Sequence, residues 1–492
     1  MSASLQELPT SSRPSGLARF VTRALDELGL VALWQTSLDS KLLCAQRFVR
    51  LFAYGGSTLI LAAYLSALDI SDDRIGLFMT LTLAGDVVIS FFLTLFADAM
   101  GRKAVLALGS ALMCASGVIF ALFSNYWVLL AAAVFGVISP SGNEIGPFRA
   151  VEESTIAHLT PHEVLSDIFA WYSLIGTAGT ALGMMVCGWI INLLRVTKGW
   201  DFVSACRVIF FVYAAVGAIK FLLTIGLSSK VEAASKQQKQ KKQQQQQQSS
   251  ETEPLLANGH REEETSPKQT HRKIAFLPAV EIELMGLVLN LCLLFALDSF
   301  ASGLASLSWV TYFFRRKFNL PEGQLGSLFF TTSIIQSVSM LVASSIAKRF
   351  GNVKTMVFTH LPSAVCLAMI PIPSSLPFAM LFLVLRACTQ TMDVAPRSAF
   401  LASALPPEKR TAIMGTINVV KTCSQSLGPL LTGVLAGRGL FWVSFVVAGS
   451  LKATYDIGML VSFGGLDKKR RKKESLEDRE AAAAESQGEQ RR

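Results

Sequence analysis

Charge is what this sequence has least of. Only 16% of its 492 residues are Asp, Glu, Lys or Arg, against 51% that are hydrophobic, where a soluble domain carries about 25% charged residues. With a mean hydropathy of +0.45, an ordinary water-soluble globule is excluded. Paired cysteines are missing too. Seven of the eight (Cys114, Cys187, Cys206, Cys292, Cys366, Cys388 and Cys423) lie in or beside apolar segments without CxxC spacing, which reads as small apolar packing and not as a disulfide frame. The five histidines are scattered, so no metal site is expected. Nothing resembles a nucleophile–base pair or a phosphate loop, so neither an enzyme nor a cofactor is expected. Half of the net charge of +10 comes from the tails and the middle loop, which suits a basic surface beside a lipid bilayer rather than nucleic acid. The first 46 residues mix polar and apolar types, so a cleavable leader is not expected.

What the sequence does have is long apolar runs, among them Ala104–Phe123, Trp127–Pro140, Val208–Leu227 and Phe378–Leu385. A membrane-spanning helix needs about 20 mainly apolar residues. Twelve spans are expected, starting near Arg47, Ile75, Ala104, Trp127, Val164, Val208, Glu283, Gln324, Lys354, Pro377, Ala412 and Gly439. Residues 235–273 and the tail after Leu466 are polar and low in complexity, a composition that cannot build a core. The chain thus divides into an N-terminal cytoplasmic arm (1–46), a six-helix bundle (47–227), a disordered cytoplasmic loop (228–278), a second six-helix bundle (279–463) and a cytoplasmic tail (464–492). Lys and Arg gather in the arm, the middle loop, the 8–9 loop (Lys348, Arg349, Lys354), the 10–11 loop (Arg397, Lys409, Arg410) and the tail. Both termini are therefore expected in the cytoplasm. Arg315, Arg316 and Lys317 fall on the other side and count against that topology.

The two bundles repeat. ISDDRIGLF (70–78) aligns with LPEGQLGSLF (320–329), placing Gly76 on Gly326, and the same offset of 250 places Gly101 on Gly351. Glu144-Ile-Gly-Pro147 aligns with Asp393-Val-Ala-Pro396, and Gly183 and Gly188 align with Gly428 and Gly433. Ordered matches with a slowly drifting offset indicate duplication, an arrangement that places a solute near mid-membrane between the halves.

These residues resemble a known family, the major facilitator superfamily. TLFADAMGRK (94–103) is similar to its loop motif GxLaDRxGRK, with Asp98, Gly101, Arg102 and Lys103 matching while Thr94 and Ala99 depart from it. Glu144-x-x-Pro147 and Asp393-x-x-Pro396, each followed by Arg149 or Arg397, resemble the acid–proline–arginine ends of spans four and ten. The resemblance implies an all-α integral membrane fold of twelve transmembrane helices in two pseudo-symmetric six-helix bundles. It further implies alternating access, with cytoplasmic salt bridges latching the halves. Asp98, Gly101, Arg102, Lys103, Glu144, Arg149, Asp393 and Arg397 are the expected cytoplasmic gate; Glu152, Glu153, Lys348 and Arg349 stand near it.

A second class of charge lies near mid-membrane: Asp86, Asp298, Arg386 and Lys421. Each costs about 2.5–3.5 kcal/mol at a helix centre, so they are expected to face the interior, as structural pairs or as a transport site. Asp86, Asp298, Gln336, Arg386, Gln390 and Lys421 are the candidate substrate and proton pathway. Asp86 and Asp298 are candidates for carrying protons, and Arg386 and Lys421 for holding an anionic solute. Lys452 and Asp456 are expected to pair along one helix, and Lys220 to snorkel to the cytoplasmic surface. The expected function is secondary transport of a small solute by a single copy of the chain, proton-coupled or passive, with a non-transporting membrane sensor as the alternative. ETEPLL (251–256) resembles an acidic dileucine sorting signal, which points to a vacuolar or endosomal membrane, with the plasma membrane as the alternative.

Overall fold

The protein, seen here as a computed structural model, is described over residues 30–136, 138, 140–141, 147–161, 164–232, 282–406 and 409–490. Glu144, the expected signal ETEPLL and most of the expected middle loop lie outside the described residues. The helices are α1 (Leu30–Gln35), α2 (Leu38–Ala67), α3 (Asp72–Met100), α4 (Arg102–Leu122), α5 (Tyr126–Gly136), α6 (Pro147–Leu159), α7 (Leu165–Lys198) and α8 (Phe202–Ile225) in the first half. The second half holds α9 (Ile282–Leu304), α10 (Leu307–Phe318), α11 (Glu322–Phe350), α12 (Asn352–Met369), α13 (Leu376–Thr389), α14 (Val394–Ala404), α15 (Arg410–Gly437) and α16 (Phe441–Gln490). Counting the broken pairs α5/α6, α9/α10 and α13/α14 as one pass each gives twelve passes among the described residues, six in each half.

The first pass begins at Leu38, earlier than its apolar run suggests. Ser37 caps the helix by accepting a hydrogen bond from the Ser40 amide at 3.2 Å. The following turns carry Asp39, Gln46, Arg47 and Arg50, all buried inside the half. Polar residues that face protein rather than lipid hide a span from a hydropathy reading. The outer faces are apolar instead: Val88, Phe91, Leu193, Leu222, Leu289 and Val461 are exposed, as a hydrocarbon environment requires.

The halves obey the repeat. In the first, α2 lies on α7 and α4 on α8; in the second, α9 lies on α15 and α12 on α16. Between the halves α3 meets α15, α7 meets α11 and α2 meets α10. Glycine makes two of these seams. A Cβ on Gly76 would stand 2.6 Å from the Pro429 carbonyl oxygen and 2.9 Å from the Cα of Gly433. Its repeat partner Gly326 meets Met184 and Gly188 in the same way. Backbone against backbone leaves no room for a side chain. Ser308 donates its hydroxyl to the Thr58 carbonyl at 3.0 Å; these residues are themselves 250 apart, so this contact sits at the pseudo-two-fold axis. Gly101 (φ +99°) and Gly351 (φ +91°) make equivalent left-handed turns after α3 and α11.

All these seams lie toward the end that carries the α2–α3, α7–α8 and α15–α16 turns, here the closed end. At the opposite one, bearing the α3–α4 and α11–α12 turns, no glycine seam, hydrogen bond or ion pair joins the halves among the described residues; this is the open end.

Candidate functional site

A cavity of about 440 Å³ lies between the halves on the open-end side of the seams. The broken passes build much of its wall: Ser141 lies between α5 and α6, Ala305 and Ser306 between α9 and α10, and Gln390 and Thr391 between α13 and α14. Helix breaks are tolerated at membrane depth where they line a cavity. Hydroxyl and amide groups of Thr177, Thr332, Gln336 and Gln425 complete a polar lining. The charged side chains in the wall are Arg47, Arg149, Arg386 and Lys452, and no carboxylate is among the described wall residues. Arg149, 44% exposed and bridged to Glu153 at 2.7 Å, stands at the mouth. Arg47 lies 4.1 Å from the Tyr172 ring.

Arg386 is distinctive. It is 9% exposed, its Nε has no hydrogen-bond partner, and no described carboxylate lies within ion-pair distance of it. A buried guanidinium with nothing to compensate it is costly, and this one faces the cavity.

Of the expected pathway residues, the structure thus brings Gln336, Arg386 and Gln390 together in one wall. Asp298 sits behind that wall and not in it. It accepts from Lys452 Nζ at 2.6 Å, and Arg397 lies 3.3 Å away. Lys421 lies 5.5 Å from the Phe295 ring, outside the wall. Asp86 is buried on α3, also outside it. Two expected local arrangements are corrected. Lys452 does not pair with Asp456 four residues along; it bonds Asp298 and, at 2.8 Å, Ser302. Asp456 instead meets His360 Nδ1, with both carboxylate oxygens at 3.0 Å. A partner on a facing helix, holding the group in its buried environment, outcompetes the i, i+4 neighbour.

Lys220 does not snorkel. It is 1% exposed, and its Nζ lies 3.7 Å from Glu152. Glu152, expected near the solvated gate charges, is fully buried: Arg50 reaches it at 2.7 Å and the Tyr172 hydroxyl donates to it at 2.6 Å. Arg50 and Glu152 are 102 positions apart, which is why neither residue's local sequence announces the pair.

At the open end the expected gate residues have varied positions. Asp98 lies in the last turns of α3. Lys103 donates to the carbonyls of Ile225 (2.8 Å) and Leu227 (2.6 Å), capping α8, and the Arg102 amide donates to Glu232 at 3.0 Å. Asp393 is buried within the broken tenth pass, 3.2 Å from Arg397, rather than standing at a solvated helix end.

Among the described residues, two sets of ion pairs join the halves at the closed end, and the sequence reading missed them. Arg316 meets Asp72 at 2.6 Å, and the Tyr312 hydroxyl donates to the same carboxylate at 3.1 Å. Glu322, 5% exposed, accepts from Arg195 at 2.9 Å and lies 3.3 Å from Arg315. The Arg315 guanidinium also stands 3.8 Å from the Phe202 ring centre. Asp72 and Glu322 are 250 apart, so the duplication itself was a signal for them. The basic cluster Arg315–Lys317, which opposed the expected topology, supplies the cation of the Asp72 clamp, while at Glu322 the cation from the other half is Arg195, with Arg315 beside it.

Comparisons place this architecture among known proteins. A sequence model described as Major Facilitator Superfamily matches residues 43–297 and 291–487. An uncharacterised membrane protein of Saccharomyces cerevisiae is 36% identical over 442 residues, covering 89% of this chain and 96% of that protein. The quinolone resistance protein NorA of Staphylococcus aureus is 25% identical over 168 residues, or 34% of this chain and 39% of that one. Among solved structures, the nucleoside transporter NupG superposes with a TM-score of 0.64 at 12% identity, over 86% of this chain and 99% of that one. A D-xylose-proton symporter gives 0.63 at 13%, over 85% and 96%. The human organic anion transporter MFSD10 gives 0.55 at 15%, over 86% and 100%.

Proposed function

The chain belongs to the major facilitator superfamily, and from that premise we propose that it is a secondary transporter of small organic anions working by alternating access. The observation that carries the reading is Arg386: a buried guanidinium with no ion-pair partner among the described residues, facing a cavity whose other described charges are Arg47, Arg149 and Lys452. Such a wall repels cations and offers a neutral solute no use for the charge. A carboxylate or phosphate compensates Arg386 through paired N–H donors.

In this reading the open end faces the cytoplasm, where most loop Lys and Arg gather, and the structure is an inward-facing state. The Asp72–Arg316 and Glu322–Arg195/Arg315 clamps hold the outer end shut, and their rupture accompanies closure of the inner end. Asp98, Gly101, Arg102, Lys103, Glu144, Arg149, Asp393 and Arg397 remain the candidate inner latch. The cavity is built by both halves of one chain, so a single copy suffices.

The test is a thermal-shift screen of the purified full chain against succinate, citrate, benzoate and inorganic phosphate, with xylose, uridine and choline as neutral and cationic comparisons. At least one anion stabilises the wild type, and Arg386→Ala weakens its binding on the order of 100-fold, about 2–4 kcal/mol for a lost buried charge partner. Stabilisation by neutral or cationic solutes alone, or by anions undiminished in Arg386→Ala, refutes the reading.

A further inference from the structure

One buried titratable pair has no part in the cavity wall or the clamps. His360, on α12, is 3% exposed, and Asp456, on α16, is fully buried. Nδ1 of the imidazole stands 3.0 Å from each carboxylate oxygen, and Tyr455 presents its ring edge-on to the imidazole, 6.1 Å between centres. A carboxylate accepts, so Nδ1 carries the hydrogen, which leaves Nε2 of the neutral ring as a lone pair able to take another proton.

We infer that the His360–Asp456 pair is a proton-binding site whose occupancy is linked to the anion held at Arg386 and Lys452. One proton adds to Nε2, converting a neutral imidazole hydrogen-bonded to a carboxylate into an imidazolium–carboxylate pair. This rests on the anion reading above and extends it to the coupling ion.

The surroundings give the linkage. Beside the pair stand Lys452 and Tyr455 from α16 and Asp298 from α9; around Asp298 in turn stand Arg397 and its neighbour Asp393 from α14 and its cap, and Lys421 from α15. Arg386 comes from α13; α11 carries charge only at its ends, in Glu322, Lys348 and Arg349, and α12 itself adds Lys354 at its start. Among the described residues, and apart from Arg386, three carboxylates (Asp298, Asp393, Asp456) accompany three cations (Arg397, Lys421, Lys452). The cluster is therefore neutral with His360 neutral and gains one positive charge with the proton.

Lys452 is the link to the cavity. It lies one helical turn from Asp456, about 6 Å along α16, and its Nζ both touches Asp298 and lines the wall. A proton behind the wall and an anion in front of it attract. At separations on the order of 10 Å and an effective dielectric of about 20 this changes either affinity about tenfold, and each raises the other by the same factor.

The experiment is calorimetric titration of the wild-type full chain with whichever of succinate, citrate, benzoate or phosphate stabilises it, in two buffers of different ionisation heat. We expect net proton uptake beyond that of the probe itself, and an affinity that rises severalfold, up to about tenfold, as the pH falls. In His360→Gln the uptake vanishes and the affinity becomes flat with pH, while binding at the alkaline end persists and still depends on Arg386. Asp456→Asn behaves likewise. Were the pair only a tether between α12 and α16, both variants would lose thermal stability with proton uptake unchanged. Absence of uptake in the wild type refutes the proposal without any variant, and so does wild-type uptake in both variants. If none of the probes binds the wild type, it is the anion reading that fails.

Discussion

Replacing Glu322 by glutamine removes the charge from the stronger of the two clamps while keeping its shape. In the native chain this carboxylate, 5% exposed, is held between Arg195 and Arg315, which are 42% and 25% exposed. At this spacing a pair is worth about 4 kcal/mol in an effective dielectric of about 20. Desolvation and the exposure of both arginines reduce that, leaving a net of about 2 kcal/mol. The glutamine also leaves two guanidinium groups facing one another across the seam. The closed end is thereby weakened about 30-fold, so that an open-outward state populated at about one in a hundred rises to about one in four. Spin labels at Trp200 and Leu440, exposed residues in closed-end turns of opposite halves, report this directly in a cysteine-free background. The double-resonance distance distribution should gain a longer component in Glu322→Gln and a larger one in the double variant with Asp72→Asn. An unchanged distribution accompanied by a fall in thermal stability would show that these residues support the fold without gating it.

Gly433→Leu should act on the same equilibrium from the other side, since its Cβ would meet the Asp72 carbonyl oxygen at 2.5 Å and the Gly76 backbone; the expected result is loss of transport with intact expression, and wild-type flux refutes the seam. Glu152→Gln strands Arg50 and Lys220 in the core of the first half. Breaking such a buried pair costs about 3–5 kcal/mol, so the melting temperature should drop by about 6–12 °C or more, measured by thermal unfolding in detergent.

Much of this was legible in the sequence because the signals were periodic or repeated. The apolar runs gave the passes, and the 250-residue offset paired Gly76 with Gly326 and Gly101 with Gly351, positions where backbone contact or a left-handed turn needs glycine. Asp72 and Glu322 lay inside the same aligned segments and passed unnoticed, because exposed-looking loop acids carry no hint of their partners. The charged interior was less legible. Whether Lys220 reaches for water or for Glu152, and whether Lys452 turns to Asp456 or to Asp298, depends on which helix faces it, and one-dimensional spacing does not contain that. Arg386 and Gln390 were visible as polar residues in an apolar pass. That no described carboxylate would pair with Arg386 was not.

The Ser308–Thr58 contact has a consequence best put in the language of oligomers. Two equivalent residues touching across an axis make an isologous interface, the kind by which one chain binds its own copy. The closed end is in that sense a homodimer contact folded into a single polypeptide. A true dimer can only offer a pocket with every feature duplicated. Joining the copies lifts that rule: at the offset that pairs Asp393 with Glu144, Arg386 falls on Val137, so one half carries a guanidinium where the other has an apolar residue. In the function proposed above, the solute is thereby given a preferred way round, anchored to one half while the other moves past it.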